Sequence, residues 1–597
     1  MRNFKSLTIL PILLPALLTC VPVLVPAQNE DRMAEILAIS GIPTEEELDE
    51  QELERFQHYL SHPLPINLSS RSRLISSGLL SQYQVASLSE YRSRYGDVLS
   101  YSELATVEGF GKGFVERIRP FISLRSRSAP GKPSGDTVHS RQDALVRFAL
   151  KGGATNYGVK YRFSSGESLE ITAAARSYYS DNKQFPPSVW SSGMTFYGKR
   201  WLGKAVLGDY NLRIGQGLSL WSGLSLSGLS SSSSFSKRPT GLSPTWSWSG
   251  AGSHRGMAAD FLIGRWSLVT FMSFPGLRGQ MEGSKRTTVS LMPGLHAGWA
   301  GKSGQLGFGA WTGSDTGKLS GDFRWNLSGV DLFGEAAYDL RTGSMASLAG
   351  VSASLGEGWR INTVGRLYPK TYDGSFSGGV RSWTKTSDER GVAAGLEWFG
   401  AYLTADMAWK DSDRVKRQCK LSLKVPLQLG EKSVVSIRLT ERIRPYEEYL
   451  VYRTGGRLDI DWSSAGLSSR YGEADGSAWK LHYRLEGLLC RSLAGLTYLE
   501  GGRKTDSWNV YLRGTVFLVD NWDDRIYSYE RDAPGNFTVP AYYGRGFALS
   551  AVGGHKFRWG KKGALKVYFR ASTVRYSFMR DPKPASNEAK LQVAASF

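Results

Sequence analysis

The most regular pattern in the chain is an alternation of apolar and polar residues that begins near residue 143 and continues to residue 597. It comes in segments of about ten residues, separated by turns rich in Gly, Asp, Asn and Ser, as in membrane-spanning β-strands. In one segment, the apolar positions and the polar positions between them are Trp479, Leu481, Tyr483, Leu485 and Lys480, His482, Arg484, Glu486. Because successive strand residues point to opposite faces, each segment predicts one apolar face and one charged face.

A charged inner face repeated in so many segments favours a transmembrane barrel over a soluble sandwich. The chain ends with Leu591, Val593, Ala595 and Phe597 on one strand face, which resembles the C-terminal strand of outer-membrane barrels. We therefore predict an all-β transmembrane barrel over residues 143–597, with about 24 antiparallel strands and with outer-membrane lipid around it.

A barrel of this size has a lumen too wide for side chains alone to fill, so it is either an open channel or plugged. Two connections are too long for simple turns, residues 218–256 and 527–546. Each is predicted to be an extracellular loop or a loop folded into the lumen. The sequence leaves both alternatives open.

The N-terminus has the pattern of an export signal. Met1 to Lys5 is a short basic start, an apolar run follows from Leu7 to Val25, and Ala27 precedes a cleavage position at Gln28. A transmembrane anchor is disfavoured because three prolines interrupt the run: Pro11, Pro15 and Pro22. Residues 1–27 are therefore predicted to be a signal peptide, and the barrel to lie in the outer membrane.

Residues 28–62 form an acidic segment with a net charge of −8, although the whole chain carries +20. Thr44 and Glu47 have the spacing of a capping box that would begin a helix. An apolar stripe follows along that predicted helix: Leu48, Leu53, Phe56 and Leu60. Two interpretations remain, a solvated acidic helix packed on the next module, which we prefer, and an acidic flap that competes with nucleic acid.

Residues 63–124 contain two candidate hairpins between short helices. In the second, residues 107–112 read Val-Glu-Gly-Phe-Gly-Lys, and the glycines allow a tight turn that presents backbone N–H groups. This stretch resembles the helix-hairpin-helix family, in the doubled form found in competence-type extracellular DNA receptors. The resemblance implies that DNA phosphate binds non-specifically at the second hairpin, through Gly109, Gly111, Lys112, Gly113 and Arg117.

The first hairpin departs from the family pattern, since Leu80 stands where the second glycine belongs. Only one hairpin is therefore predicted to be competent for phosphate. The alternative is a small helical module that binds another protein, in which the glycines serve only the turn.

Residues 125–142 are rich in Ser, Pro and Gly and are predicted to be a linker. A helix-hairpin-helix module ahead of a barrel, with the glycine-rich stretch 208–217 and the Tyr-Glu-Arg-Asp stretch near residue 530, is similar to an uncharacterised family of Bacteroidetes outer-membrane proteins. That resemblance implies this architecture and supplies no activity.

Catalytic and metal-binding patterns are weak. The seven histidines form no recognisable ligand spacing, and no serine stands in a nucleophile motif. We predict a protein that is not an enzyme and that has no catalytic residues, metal or cofactor.

Two functional hypotheses follow. In the first, a basic lumen leads DNA or another polyanion towards the hairpin of a periplasmic domain, as in DNA uptake. In the second, the barrel is an envelope pore or anchor and its helix-hairpin-helix domain docks a periplasmic protein, without any role for DNA.

Overall fold

The structure, a computed structural model, describes the chain from residue 33 onward with several gaps. The described ranges are residues 33–42, 44–126, 140–166, 168–179, 187–198, 200–223, 229, 231–248, 252–275, 290–327, 329–356, 358–413, 415–446, 449–464, 478–505, 507–559, 563–577 and 584–597. The predicted signal peptide and most of the predicted linker lie outside the described residues.

The barrel is closed and consists of 24 antiparallel strands, which confirms the predicted fold class. Each strand pairs with its neighbours in sequence, and the last strand closes on the first, with Val593 opposite Val146. A short additional strand, Gly241–Pro244, pairs with the end of β5. The barrel strands are β1 Ser140–Lys151, β2 Ala154–Ser165, β3 Leu169–Arg176, β4 Val189–Tyr197, β5 Leu202–Arg213, β6 His254–Ile263, β7 Trp266–Ser273, β8 Met292–Ala300, β9 Gly304–Thr312, β10 Gly317–Leu327, β11 Val330–Asp339, β12 Met345–Ser354, β13 Trp359–Tyr368, β14 Glu389–Trp398, β15 Ala401–Trp409, β16 Arg417–Leu429, β17 Ser433–Tyr446, β18 Tyr449–Ser463, β19 Ala478–Leu489, β20 Leu493–Lys504, β21 Trp508–Val519, β22 Gly544–Trp559, β23 Gly563–Arg575 and β24 Ser586–Ser596.

Side chains alternate between lumen and exterior as the sequence predicts. On β19, Arg484 is only 1% exposed, whereas Leu485 beside it is 48% exposed on the outside. Other strands likewise leave large apolar side chains exposed, for example Leu512, Leu549 and Phe569. An apolar outer surface around the whole barrel fits a hydrocarbon environment, because on a soluble protein it would drive aggregation.

The two ends of the barrel differ in the length of their connections. Ser140, where β1 begins, and Ser596, where β24 ends, lie at the same end, because the number of antiparallel strands is even. We call this the terminal end; residues 264–265 are one of its short turns. The opposite, loop end carries longer connections, among them residues 214–253 and 520–543.

Residues 33–126 form a helical domain ahead of the barrel. It has its own apolar core, which includes Leu53, Leu88 and Ile118, and the two short strands Leu64–Pro65 and Ile122–Ser123 pair in parallel across it. Among the described residues, none of the helices is long and apolar enough to cross a membrane. The helices are α1 Met33–Ser40, α2 Glu50–Ser61, α3 Arg71–Ser76, α4 Gln82–Tyr95, α5 Tyr101–Leu104 and α6 Gly111–Ile118.

The start of the acidic helix differs from the prediction. Thr44 makes no side-chain capping bond; Glu45–Glu47 form a single 3₁₀ turn, and the α-helix begins only at Glu50, after Asp49. The Thr44 hydroxyl instead accepts a hydrogen bond from Arg438 on the barrel wall, at 3.4 Å. The capping box is therefore wrong, because a long-range contact uses the side chain that would have made it.

Candidate functional site: the helical domain inside the barrel

Six carboxylates of the helical domain, between the 3₁₀ turn and the middle of α2, face six basic side chains of the lumen wall. We call the first set the carboxylate row: Glu46, Glu47, Asp49, Glu50, Glu52 and Glu54. We call the second set the lumen cations: Lys160, Arg176, Arg213, Arg438, Arg457 and Arg484. The ion pairs between the two sets connect the helical domain to two separate arcs of the barrel.

The first arc consists of β17, β18 and β19. Glu46 lies 2.6 Å from Arg484 and 3.2 Å from Arg457, and Glu47 lies 2.7 Å from Arg438. These three arginines stand near the midpoints of their strands, so the contacts are deep in the lumen and not at its rim.

The second arc consists of β2, β3 and β5. Arg213, at the end of β5, lies 3.2 Å from Asp49 and 3.1 Å from Glu52. Lys160, in the middle of β2, lies 2.5 Å from Glu54. Arg176 on β3 is a more distant partner, 3.9 Å from Glu50. The carboxylate row thus bridges two arcs of the wall that are well separated around the barrel.

Burial in this interface acts on the pKa values of three of these carboxylates, Glu54, Asp49 and Glu46. It raises the pKa of Glu54 to about 7, although Lys160 opposes the shift, and that of Asp49 to about 6, although Arg213 opposes it. For Glu46, burial also acts to raise the pKa, but Arg457 and the hydrogen bond from the Tyr529 amide outweigh it and lower the pKa. The predicted packing of this helix on the next module agrees with the structure, because Leu53, Phe56 and Leu60 lie in the domain core. Its acidic face is not solvated as predicted, because the barrel wall pairs with these charges.

A second set of contacts lies towards the terminal end of the barrel. The Ser72 hydroxyl donates to Asp260 on β6 at 2.6 Å, and Lys204 on β5 donates to the Ser72 carbonyl at 3.3 Å. Arg71 donates to the Gly264 carbonyl in the turn after β6. The first hairpin of the domain therefore packs on the wall at β5 and β6.

The two long connections of the loop end fold inward and contact the same domain. In the first, Ser233 donates to the Gly41 carbonyl at 2.6 Å. In the second, the Gly535 amide donates to Gln57 at 2.7 Å, and Phe537 packs against the apolar core of the domain. Of the two arrangements considered for these connections, the structure has the inward one, and the helical domain fills lumen space between them.

One buried carboxylate of the wall makes three hydrogen bonds to the first connection, which Trp311 and Arg213 of the wall also contact. Glu335, buried on β11, accepts hydrogen bonds from three backbone amides of the connection, those of Gln216, Leu218 and Ser219, at 2.6, 3.0 and 2.9 Å. A carboxylate that accepts several backbone N–H groups fixes the loop that carries them. No sequence pattern singled out Glu335.

Four of the five predicted phosphate-binding residues lie at or just before the start of α6, and Arg117, in its last turn, brings its guanidinium to 3.8 Å from an ideal Cβ at Gly113. Gly109 and Gly111 both have positive φ, at 85° and 62°, so the turn needs glycine at both positions. Gly109, Gly111, Lys112, Gly113 and Arg117 are all exposed. The first turn of α6 has N–H groups without partners inside the helix, as every α-helix does. The role of these five residues in binding phosphate stays a prediction.

In the first hairpin, the backbone N–H groups at the start of the second helix, α4, are already used in hydrogen bonds. Ser81 caps α4 by accepting from the Gln84 amide at 3.2 Å, and the Gln84 side chain accepts from the Ser81 amide at 3.0 Å. This capping box uses N–H groups that a phosphate would need. Leu79 and Leu80 are buried in the domain core. The geometry agrees with the predicted degeneracy of this hairpin.

None of the lumen cations was predicted from the sequence to be a partner of the acidic segment. The signal that could have indicated the pairing is the contrast between a segment with a charge of −8 and strands whose inner face is basic. Among the described residues, no group of three or more His, Cys, Asp or Glu side chains is placed to hold a metal ion.

The closed barrel, its apolar outer face and its wide polar lumen define the class of protein as an outer-membrane β-barrel with pore-like architecture. No protein-family model and no curated protein matches the chain. The helix-hairpin-helix and Bacteroidetes resemblances therefore stay predictions.

Solved structures of low similarity share the barrel fold. One is a chain of the E. coli P pilus tip assembly intermediate PapC-PapD-PapK-PapG, with 9% identity and a TM-score of 0.40 over 78% of this chain and 62% of that one. The P pilus usher (PapC) translocation pore has 10% identity and a TM-score of 0.34 over 77% and 99%. Pseudomonas aeruginosa OccK11 has 10% identity and a TM-score of 0.28 over 77% and 96%. The chain thus spans about three fifths of the first of these structures.

Proposed function

We propose that this protein is a gated conduit of the outer membrane, closed by its own helical domain. The observation that carries the proposal is the carboxylate row, which bridges two arcs of the lumen wall in mid-barrel. Short turns and chain termini of outer-membrane barrels face the periplasm, so the domain would enter the lumen from that side. The proposed role is passage of a solute and involves no catalysis.

The chemistry of the interface suits a domain that can undock from the wall while it stays folded. The helical domain keeps its own apolar core, and its contacts with the barrel strands include ion pairs, hydrogen bonds and the Arg73 guanidinium over the Tyr197 ring. Buried ion pairs contribute little net stability compared with well-packed apolar contacts, yet they fix one geometry. Such an interface holds the closed state in register and can be separated without unfolding the domain.

Planar-bilayer conductance of the full chain tests the proposal. The wild-type protein should be closed or nearly closed, and a release variant with Glu46→Gln, Glu47→Gln and Glu52→Gln should conduct. The matched control carries Glu108→Gln and Glu116→Gln, two exposed carboxylates of the same domain. A release variant whose proteolysis shows an undocked domain but whose conductance equals that of the wild type would refute gating.

A second candidate function is DNA binding at the hairpin, and the exposure of the hairpin residues favours it. The support is a turn with two glycines at positive φ followed by Lys112. Full-length protein in detergent is titrated with duplex DNA at two salt concentrations. Lys112→Glu with Arg117→Glu should abolish binding, and Lys416→Glu, on a loop of the barrel, should not. If neither the hairpin variant nor the Lys416→Glu control changes DNA binding, the hairpin is not the DNA site, and protein docking is its remaining proposed role.

A further inference from the structure

The closed state hides a large part of the positive charge of the lumen. Glu47 pairs with Arg438, and Glu46 pairs with Arg457 and Arg484, which also contact Asp459 of the wall. Glu54 pairs with Lys160, and Asp49 and Glu52 pair with Arg213. Arg484 and Lys160 are almost completely buried, and Lys160 contacts both Glu54 of the domain and the ring of Trp248 in the inward connection. When the domain leaves, these side chains face water in the conduit.

The inward connection at residues 520–543 covers further cations of the same wall. Arg513 donates to the Tyr529 carbonyl at 2.6 Å and to the Ser528 hydroxyl at 2.8 Å. Arg147 donates to Asn536, and Arg570 to Glu530. The basic face of the lumen therefore extends beyond the area that the carboxylate row occupies.

The charges of the two parts of the chain are strongly unequal. Residues 28–62 carry −8, whereas residues 133–597, which contain the barrel, carry +21. A narrow aqueous path with walls of low dielectric concentrates the field of such charges and enriches ions of the opposite sign. Arginine is suited to carboxylate and phosphate groups because its planar guanidinium makes two parallel hydrogen bonds with them.

We infer that the conduit is selective for polyvalent anions, and that the carboxylate row occupies the positions on the lumen cations where the anionic groups of the solute bind. The inference rests on the proposed gating, since the cations become accessible only when the domain is displaced. The row provides six carboxylates within nine residues, which matches the lumen cations in number and is opposite to them in sign. Solute and domain then compete for the same arginines and lysine.

The first test is the reversal potential of the release variant in a KCl gradient. Its sign should show that chloride is preferred over potassium. Adding Arg438→Gln, Arg457→Gln and Arg484→Gln should lower the chloride-to-potassium permeability ratio at least about twofold, because neutral walls do not enrich anions. Lysine at the same three positions keeps the charge and should keep the preference. The inference is overturned if the release variant conducts but prefers potassium. It is also overturned if the glutamine substitutions at the three arginines leave the chloride-to-potassium permeability ratio unchanged. Neither result contradicts the proposed gating.

The second test does not depend on conductance. Tripolyphosphate added to the wild-type protein in detergent should compete with the carboxylate row and accelerate limited proteolysis of residues 33–126. By reciprocity, the glutamine substitutions of the release variant should tighten tripolyphosphate binding. Potassium chloride at equal ionic strength is the control for general screening. Equal effects of the two salts, or no effect of either, refute competition at the lumen cations. Displacement by tripolyphosphate without any conductance in the release variant would refute gating and keep the anion site.

Discussion

Glu46 accepts a hydrogen bond from Arg484 at 2.6 Å, although 438 residues separate them in the chain. The same carboxylate accepts from Arg457 at 3.2 Å, and both arginines also reach Asp459 with their Nε atoms at 2.6 Å. Two carboxylates and two guanidinium groups thus form a balanced cluster between the domain and the wall. The domain supplies one carboxylate and the barrel supplies the rest, so neither part alone neutralises the cluster.

Glu46→Gln should weaken docking of the helical domain. The change leaves two buried arginines with Asp459 as their remaining carboxylate in the cluster, and loss of one partner of a buried pair costs about 3–5 kcal/mol. Limited proteolysis of residues 33–126 should accelerate at least about 100-fold, if cleavage follows the undocked population. The double variant Glu46→Leu with Arg484→Leu should be less impaired than Glu46→Gln. A single variant that is no more sensitive than the wild type would show that the cluster does not hold the domain.

Docking should weaken as the pH rises from about 5 to 8. Burial raises the pKa of Glu54 from its ordinary value of 4.5 to about 7, so the docked state holds this proton more tightly than the undocked state. Because the pKa is raised in the docked state, Glu54 contributes docking free energy that is fully present below pH 4.5. This contribution is lost as the pH rises through the docked-state pKa of about 7. Asp49, with a pKa of about 6, acts in the same direction. Proteolysis of the domain measured across this range should follow that trend, and Glu54→Gln should flatten it.

Gly109→Ala should destabilise the second hairpin, and Gly113→Ala should not. Gly109 has a φ of 85°, where an L residue costs about 1–2 kcal/mol, and a Cβ there would overlap the Tyr83 ring. Gly113 lies inside α6, and a Cβ there would be 3.8 Å from its nearest neighbour, Arg117, so alanine should favour the helix by about 0.5–1 kcal/mol. Hydrogen exchange of the α6 amides should accelerate in the first variant and slow in the second. Equal exchange in the two variants would contradict the strained turn.

A disulfide between the domain and the wall should lock the conduit shut. An ideal Cβ at Gly203 would lie 2.9 Å from the Ser72 Cβ, and a shift of well under about 1 Å would bring the two to disulfide distance. Ser72→Cys with Gly203→Cys is placed in the release variant, with the native Cys419 and Cys490 changed to serine. Oxidation should abolish conductance and reduction should restore it. The same variant with only one added cysteine should not respond, and conductance that persists after oxidation would mean that opening does not require the domain to leave β5.

Glu335→Ala should release the inward connection at residues 214–223. It would leave the amides of Gln216, Leu218 and Ser219 without their acceptor, and each unpaired buried N–H costs about 1–3 kcal/mol. Hydrogen exchange at these three amides should rise by at least about tenfold. Glu335→Gln keeps one acceptor oxygen and should have a smaller effect. Unchanged exchange in the alanine variant would show that other contacts hold the connection.

The barrel could be predicted from the sequence because the pattern that indicates each strand lies within neighbouring residues. Arg484 and Leu485 are neighbours in sequence, and strand geometry alone sends one to the lumen and the other to the outside. The hairpin glycines were equally accessible, since Gly109 and Gly111 mark a turn by their position between two short helices.

The destination of the acidic segment could not be predicted in the same way. Which arginine meets Glu47 depends on closure of the barrel and on the position of β17 within it, and no local pattern encodes either. The misassigned cap at Thr44 has the same origin, because its hydroxyl is used by Arg438, 394 residues further along the chain. The total charge could be read from the sequence, but the pairing required the fold.

The two arcs that hold the carboxylate row also impose an order on biogenesis. Lys160 and Arg213 come from the first strands to be synthesised, whereas Arg438, Arg457 and Arg484 come from strands near the end of the chain. The helical domain precedes all of them, so its complete set of partners exists only after β24 has closed on β1. A newly exported chain must therefore carry this acidic domain, already translated and incompletely neutralised, through the whole of barrel assembly.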